Sequence, residues 1–249
     1  MNLLKRLLGH IYFFYGMIVF AITLVLEAIA ARIALFFEEP KRAKILHVSF
    51  NIWMRTVLPL LFIRVKRTGK ENFKKGETYV ITPNHNSFVD ILVSSPWIPE
   101  PNKTLAKIEL SKIPVFGTVY KSGSILVDRK SEQSRKESFS KMQETLNMGL
   151  HLCLYPEGTR NKTNDPVGKF KDGAFIVAIR NQKAIIPTVI TGTKNILPER
   201  PKFWAWPHSV HIHFMEPIPT KGMSLSQKNE LMEQVRQLIS DYYVKHNRD

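Results

Sequence analysis

The pattern of apolar residues changes along this chain. Residues 1–63 contain two long apolar stretches, whereas beyond about Arg64 short apolar runs alternate with segments of helical spacing. The short runs are rich in β-branched or aromatic residues and are bounded by Gly, Pro or Asn, which is typical of strands. We therefore predict strands at Phe62–Arg67, Tyr79–Thr82, Thr104–Ile108, Ser124–Val127, Leu150–Tyr155, Ala184–Ile190 and Ser209–Phe214.

Apolar residues at helical spacing predict three longer helices between these strands, at Glu132–Met148, Gly173–Asn181 and Ser226–Lys245. Strands interleaved with helices predict an α/β fold, a mixed, mostly parallel sheet layered by helices. Pro187 lies inside a predicted strand, and a strand proline favours an edge position or a bulge because it has no N–H to donate.

The first apolar stretch has no charged residue between Ile11 and Leu26. Sixteen helical residues would extend roughly 24 Å, short of the ~30 Å hydrocarbon core, so a full span is possible but not required. The second stretch is interrupted by Arg55 and Pro59, which suits an interfacial or partly inserted helix. A cleaved signal peptide and a buried soluble helix are the alternatives to this membrane anchor of two helices.

Basic residues flank both apolar stretches, as expected beside anionic head groups on the cytoplasmic side of a membrane. We therefore predict a membrane anchor at residues 1–63, attached to the inner membrane, and an α/β domain at residues 64–249 facing the cytoplasm. A proline-aromatic loop follows later, where Phe203, Trp204 and Trp206 either pack within the loop or contact lipid.

The composition is that of an ordinary globular protein, but the charge is not. Lys and Arg number 36 against 21 Asp and Glu, a formal net charge of +15. This excess favours a polyanionic partner, such as an anionic membrane, a phosphorylated substrate or an acidic carrier protein. Nucleic acid is also polyanionic, but the sequence contains no nucleic-acid-binding motif. The single cysteine, Cys153, excludes an internal disulfide, and the histidine spacing suggests no metal site.

The segment from Thr82 to Asp90, TPNHNSFVD, contains the most informative chemistry. Ser87 is a natural N-cap, and Ser87-x-x-Asp90 has capping-box spacing. His85 would then lie just outside a helix, and the Asp90 carboxylate in its first turn could reach back to the imidazole. Such a pair at the end of a strand can act as an oriented general base, whereas the alternative is a turn histidine beside an ordinary helix cap.

Cationic residues lie at or just beyond the ends of several other predicted strands. Glu157 and Arg160 lie in the turn of the segment LYPEGTR, Arg129 follows Asp128 at another strand end, and Lys107 lies in AKIELSKIP. Arginine can bind phosphate with two hydrogen bonds. Lys107, Arg129 and Arg160 could therefore converge on one anion if their strands are neighbours, although each segment alone also fits solvated surface charge.

These segments, in this order, resemble the glycerophospholipid acyltransferases, and most closely the lysophosphatidate acyltransferases. That family's N-H-x-S-x-x-D, G-x-x-F-I-D-R and F/L-P-E-G-T-R-S motifs correspond to Asn84–Asp90, Gly123–Arg129 and Tyr155–Asn161. A shorter apolar-proline segment corresponds to Ile186-Pro187. The sequence departs from the family at Leu126-Val127, Tyr155 and Asn161, and none of these positions belongs to the His–Asp pair.

The resemblance implies an α/β fold preceded by a two-helix membrane-binding element. It implies transfer of a fatty acyl group from acyl-CoA or acyl carrier protein to the sn-2 hydroxyl of lysophosphatidic acid, without a cofactor. His85 and Asp90 would be catalytic, and the phosphate would be bound by Lys107, Arg129, Glu157, Gly158, Thr159 and Arg160. The rival interpretations are a related acyltransferase with glycerol-3-phosphate or another lysophospholipid as acceptor, a non-enzymatic basic membrane-binding protein, and a lipid hydrolase.

Overall fold

A computed structural model describes residues 2–163 and 165–247. Within these residues the chain alternates between helices and strands along most of its length. The α-helices are α1 (Leu3–Ala34), α2 (Lys41–Leu60), α3 (Val89–Ser94), α4 (Phe116–Gly123), α5 (Glu132–Asn147), α6 (Gly173–Arg180), α7 (Thr193–Ile196) and α8 (Lys228–His246).

One seven-stranded sheet forms the centre of the molecule, in the order β1-β7-β6-β2-β5-β3-β4. Strands β2 to β6 run parallel to one another, while β7 is antiparallel to β6 and parallel to β1. The mixed, mostly parallel sheet predicted from the sequence is therefore confirmed. The strands are β1 (Val65–Thr68), β2 (Val80–Pro83), β3 (Asn102–Lys107), β4 (Ser124–Val127), β5 (His151–Cys153), β6 (Ile185–Thr191) and β7 (Val210–Phe214).

All seven predicted strands are present, and α5, α6 and α8 begin within two residues of their predicted starts. The edge position predicted for Pro187 is wrong, because β6 lies between β2 and β7. The pairing with β7 is nevertheless irregular there. Ile185 faces Ile218 while Thr188 faces Phe214, so two residues of β6 oppose three beyond β7, as in a bulge.

Helices cover both faces of the sheet. On one face α5, α6 and α8 bury an apolar core centred on Phe175 and Leu152. On the other face α2 and α3 pack against the sheet, where Met54, Val57 and Leu58 of α2 are almost fully buried. The second apolar stretch of the sequence is therefore a helix that completes the core of the α/β sheet.

Helix α1 lies outside this layer, packed on α2 and α4. Its inner stripe of small residues, including Ala28 and Ala31, is buried, and Tyr12 and Tyr15 donate hydrogen bonds to the carbonyls of Leu61 and Leu60 at the end of α2. Most of its large apolar side chains are exposed, so α1 is not the buried soluble helix of the alternative interpretation. Among the described residues it is the one helix long and apolar enough to cross a membrane.

The proline-aromatic loop packs on the first turns of α1. Trp204 is buried, and an added Cβ on Gly9 would come within 1.8 Å of its indole nitrogen. The amide of Ala205 donates to the carbonyl of Gly9, and the rings of Phe203 and Phe13 meet edge to face. Packing is therefore the role of Trp204, while Phe203 remains 63% exposed beside the apolar surface of α1.

The division of the chain into a membrane anchor at residues 1–63 and an α/β domain at residues 64–249 stays a prediction.

Candidate active site

Several candidate residues lie at one edge of the sheet, where the parallel strands β2 to β6 reach their carboxyl ends. Open α/β sheets bind ligands at this edge because the loops that follow neighbouring strands meet there. The loop after β2 begins with Asn84, whose side chain accepts from the N–H of Ile190 at 2.7 Å and donates to its carbonyl at 3.0 Å. This amide therefore ties the start of the loop to β6.

His85 and Asp90 form the predicted pair. The Nδ1 atom of His85 lies 2.9 Å from Oδ2 of Asp90, and the Asp90 side chain is fully buried. The His85 side chain is 12% exposed, so the ring is accessible from one side. An N–H at Nδ1 donating to the carboxylate leaves the lone pair at Nε2, which has no hydrogen-bond partner among the described residues. This is the arrangement that general-base catalysis requires.

The turn between the two residues contains one half of the predicted Ser87–Asp90 capping box, the bond from the Ser87 N–H to the Asp90 carboxylate. Helix α3 begins at Val89, so the cap position falls on Phe88, and Ser87 Oγ accepts from the N–H of Val89 at 3.3 Å. Asp90 Oδ2 accepts from the N–H groups of Asn86 at 2.6 Å and Ser87 at 2.7 Å. The prediction that Asp90 reaches back from the first turn is confirmed, while the predicted cap at Ser87 is one residue early.

Glu157 binds the backbone of two separate segments, the loop that carries His85 and the segment that contains Gly168. Its Oε1 accepts from the N–H of His85 at 2.6 Å, and its Oε2 accepts from the N–H of Gly168 at 2.7 Å. An added Cβ on Gly168 would lie 2.6 Å from Oε2, so this approach requires glycine. Burial raises the pKa of Glu157 despite these two donors. Sequence reasoning placed Glu157 among the phosphate-binding residues and missed its hydrogen bond to His85.

Two further contacts fix the His85 loop. The N–H of Asn161 donates to the His85 carbonyl at 2.6 Å, and the Tyr155 ring lies 4.3 Å from the imidazole between centroids, tilted by 33°. The Tyr155 hydroxyl lies 2.7 Å from that of Ser94, and burial holds its pKa well above the usual value. The sequence indicated neither contact, because both depend on the adjacency of β2 and β5.

The predicted cations Lys107 and Arg129 lie near this edge, and each has a different partner. Arg129 donates to the carbonyl of Gly158, and Tyr120 accepts from the N–H of Lys107 at 2.9 Å. Lys107 itself pairs with Glu109 at 3.1 Å. Gly158 adopts a left-handed conformation with φ of 70°, and Thr159 is exposed beside it.

Arg160 lies against the residue that follows the His85 turn. Its guanidinium is 3.6 Å from the centroid of the Phe88 ring, and it pairs with Glu199 at 3.1 Å. The structure therefore brings Arg129 together with Gly158, and Arg160 together with the start of α3. The convergence of Lys107, Arg129 and Arg160 on one anion stays a prediction. Across residues 2–163 and 165–247, no three His, Cys, Asp or Glu side chains form a group suited to a metal ion.

A His–Asp pair at the carboxyl edge of a mostly parallel sheet, followed by a Glu-Gly-Thr-Arg turn, defines a class that comparison with known proteins identifies. The sequence model of the Acyltransferase family matches residues 64–191. The chain belongs to that family, and the resemblance to glycerophospholipid acyltransferases is confirmed.

Two relatives of this chain are named for the same activity. The chain is 31% identical over 177 residues to a putative 1-acyl-sn-glycerol-3-phosphate acyltransferase of Caenorhabditis elegans, covering 70% of this chain and 62% of that protein. It is 28% identical over 228 residues to the human 1-acyl-sn-glycerol-3-phosphate acyltransferase alpha, covering 90% and 76%. The chain spans about three fifths of the length of the first curated relatives it matches.

A solved structure shares the fold over the whole chain. The crystal structure of the 1-acyl-sn-glycerophosphate acyltransferase PlsC from Thermotoga maritima superposes with a TM-score of 0.79 and covers 100% of both chains. The two sequences are 22% identical, so this likeness establishes the fold. The predicted α/β fold with long N-terminal helices is confirmed.

Proposed function

We propose that this protein transfers a fatty acyl group from a thioester to the sn-2 hydroxyl of lysophosphatidic acid, giving phosphatidic acid for phospholipid biosynthesis. The observation that carries the proposal is the His85–Asp90 pair, with Nδ1 bound to the carboxylate and Nε2 open to a ligand. The activity for which the relatives are named supports this acceptor.

In this proposal His85 is the general base. An alcohol is a weak nucleophile at neutral pH, so Nε2 removes the hydroxyl proton as the oxygen adds to the thioester carbonyl carbon. The tetrahedral intermediate then collapses, the carbon–sulfur bond breaks, and the imidazolium returns the proton to the departing sulfur. Asp90 holds the ring in the required tautomer and stabilises the imidazolium, and no acyl-enzyme forms.

The phosphate of the acceptor is assigned to Arg160 and Arg129, with Lys107 and the exposed turn at Gly158 and Thr159. The Arg160 pair with Glu199 lies at the surface, where water screens the two charges and such a pair contributes little to stability. A phosphate group, which binds arginine with two charge-assisted hydrogen bonds, can replace that carboxylate. Glu157 is assigned a different role, since both its oxygens already accept from backbone N–H groups.

Both candidate acyl donors suit the charge of the protein. Coenzyme A carries phosphate groups and acyl carrier protein is acidic, so either complements a chain with a formal net charge of +15. We propose one of these thioesters as co-substrate and no resident cofactor.

The apolar surface of α1 supports attachment to a membrane containing anionic lipids. We place the protein at the inner membrane with its sheet edge facing the cytoplasm, because Lys and Arg flank α1 and α2. Membrane attachment would bring the site to its lipid substrate.

The proposed activity is tested by supplying the purified protein in vesicles with lysophosphatidic acid and labelled acyl-CoA or acyl carrier protein. Formation of labelled phosphatidic acid is expected. Glycerol-3-phosphate and lysophospholipids with larger head groups are supplied in parallel, and faster acylation of one of these would replace the proposed acceptor. Release of free fatty acid without an acceptor would instead indicate a hydrolase.

Arg160→Ala is expected to raise KM for lysophosphatidic acid at least about tenfold with a smaller change in kcat, because a lost charge-assisted phosphate contact costs roughly 1.5–3 kcal/mol. Initial rates over a range of acceptor concentrations measure this. Lys162→Ala is the matched control, since Lys162 also pairs with Glu199 at 3.1 Å. An Arg160→Ala enzyme with the KM of the Lys162→Ala enzyme would contradict the phosphate role.

Membrane attachment through α1 predicts that Ile18→Asp combined with Ile22→Asp lowers vesicle binding at least about tenfold. These side chains are 61% and 63% exposed, and burying each isoleucine in lipid contributes roughly 1.5–3 kcal/mol. Flotation with vesicles of phosphatidylethanolamine and phosphatidylglycerol measures binding. Val244→Asp, at an exposed position of α8, is the control. Equal flotation of the α1 variant and the control would refute attachment through this face.

A further inference from the structure

A buried hydroxyl completes the hydrogen bonds of the Asp90 carboxylate. Thr193, the first residue of α7, donates from Oγ1 to Oδ1 of Asp90 at 2.5 Å. Both side chains belong to residues that are 1% exposed or less. The Oδ2 atom of Asp90 already accepts from His85 and from two backbone N–H groups. Among the described residues, Thr193 is therefore the only hydrogen-bond partner of Oδ1.

The backbone after β6 brings Thr193 to this position. Strand β6 ends at Thr191, and Gly192 then adopts φ of 86°, a left-handed conformation that favours glycine. An added Cβ on Gly192 would also lie 2.1 Å from the carbonyl oxygen of Ser209, so no other residue fits without movement. This turn starts α7 directly beside α3, the helix that carries Asp90.

We propose that Thr193 is a positioning residue for the reaction, acting through Asp90 on His85. The inference rests on the proposed function, in which His85 is the base. A carboxylate can rotate about its Cβ–Cγ bond, and a hydrogen bond to Oδ1 fixes that rotation so that Oδ2 faces Nδ1 of the imidazole. The bond from a hydroxyl to a carboxylate is short and strong, and here it is buried.

The Thr193 hydroxyl also reduces the negative charge on the Asp90 carboxylate that faces the imidazole. A donor on Oδ1 withdraws negative charge from the carboxylate, so removing it leaves a more basic partner for Nδ1 and a more basic imidazole. The other titratable groups facing His85 come from the loop after β5, namely Tyr155 at 4.3 Å between rings and Glu157 at its backbone N–H. Both are held by hydrogen bonds to other groups, Tyr155 to Ser94 and Glu157 to His85 and Gly168, so both are expected to remain in place when Thr193 is changed.

Thr193→Val removes the hydroxyl while nearly preserving shape. The expected result is a fall in kcat of about 10-fold to 100-fold with little change in KM for either substrate. The acid limb of the pH–kcat/KM profile is expected to move to higher pH, because the imidazole holds its proton more strongly. Thr193→Ser, which keeps a hydroxyl, is expected to restore most of the rate and the original profile.

Thr188→Val is the matched control. Thr188 is equally buried in β6, and its hydroxyl donates to the Ile186 carbonyl at 3.3 Å, away from Asp90. A Thr193→Val enzyme with the kcat and pH profile of this control would overturn the proposal. So would a Thr193→Ser enzyme as slow as Thr193→Val, because that result would show that shape rather than the hydroxyl matters.

A titration of the His85 ring by ¹⁵N NMR, in detergent and without substrates, tests the same inference independently of activity. A higher midpoint in Thr193→Val than in the wild type is expected, with the control unchanged. If the wild type forms no phosphatidic acid, the proposed function fails while this titration still reports on Thr193. If the wild type is active and the midpoints coincide, the role of Thr193 fails alone.

Discussion

His85→Ala is expected to lower kcat for phosphatidic acid formation by about 10²-fold to 10⁴-fold, the range typical of a lost general base. The imidazole Nε2 is the group proposed to take the hydroxyl proton, and no neighbouring side chain can replace it. Tyr155 is the nearest ring, but its hydroxyl lies against Ser94 and burial raises its pKa further from neutrality. Initial rates with saturating lysophosphatidic acid and acyl-thioester measure the loss.

The fold and membrane attachment should survive this change. The backbone of His85 remains bound to Glu157 and Asn161, so abundance in the membrane and the thermal unfolding temperature are expected to match the wild type. His246→Ala, at an exposed position near the end of α8, controls for the loss of an imidazole. A His85→Ala enzyme that retains more than a tenth of the control rate would remove His85 from the role of base.

The His–Asp pair could be predicted because its geometry is local. Five residues separate His85 from Asp90, and a turn followed by the first turn of a helix is enough to bring the carboxylate back to the ring. The strands were predictable for a similar reason, since short apolar runs bounded by turn residues reflect local preferences. The order of those strands in the sheet was not predictable from such signals.

The contacts that support the pair depend on that order. Glu157 lies 72 residues from His85, and Thr193 lies 103 residues from Asp90. Both reach the loop only because β2 lies between β5 and β6, so that the loops after all three strands meet. From residue types alone, Glu157 and Arg160 are assigned to one ligand because they lie three residues apart. In the fold, the Glu157 side chain instead faces the backbone of His85.

Pro187 lies in an interior strand, although strand prolines usually occur at the edge of a sheet. Its carbonyl accepts from the N–H of Met215 at 2.9 Å on the β7 side, where the pairing carries an extra residue. The carbonyl and nitrogen of one residue face the same neighbouring strand, so the missing N–H falls where the ladder is already irregular. An interior strand can therefore contain this proline, because the N–H that proline lacks would face a position where the regular pairing with β7 is already interrupted.

The sequence and the structure assign different roles to Glu157, phosphate binding and the positioning of His85. A residue that binds substrate phosphate should change KM for lysophosphatidic acid when it is replaced. A residue that positions His85 should change kcat, because the substrate still binds while the base is displaced. The carboxylate accepts from two backbone N–H groups, and losing an acceptor for a buried donor costs roughly 1–3 kcal/mol.

Glu157→Gln is therefore expected to lower kcat by about 10²-fold with an unchanged KM, and to lower the free energy of unfolding by roughly 1–3 kcal/mol. The amide keeps the shape of the carboxylate but directs an NH₂ group at one of the two N–H donors, so one of these hydrogen bonds is lost. Acceptor-dependent rates and thermal unfolding in detergent measure the two effects. Glu199→Gln, an exposed carboxylate beside Arg160, is the control and should leave stability unchanged. A Glu157→Gln enzyme with normal kcat and a raised KM would restore the phosphate-binding role that the sequence motif suggested, and would separate the position of the His85 loop from this carboxylate.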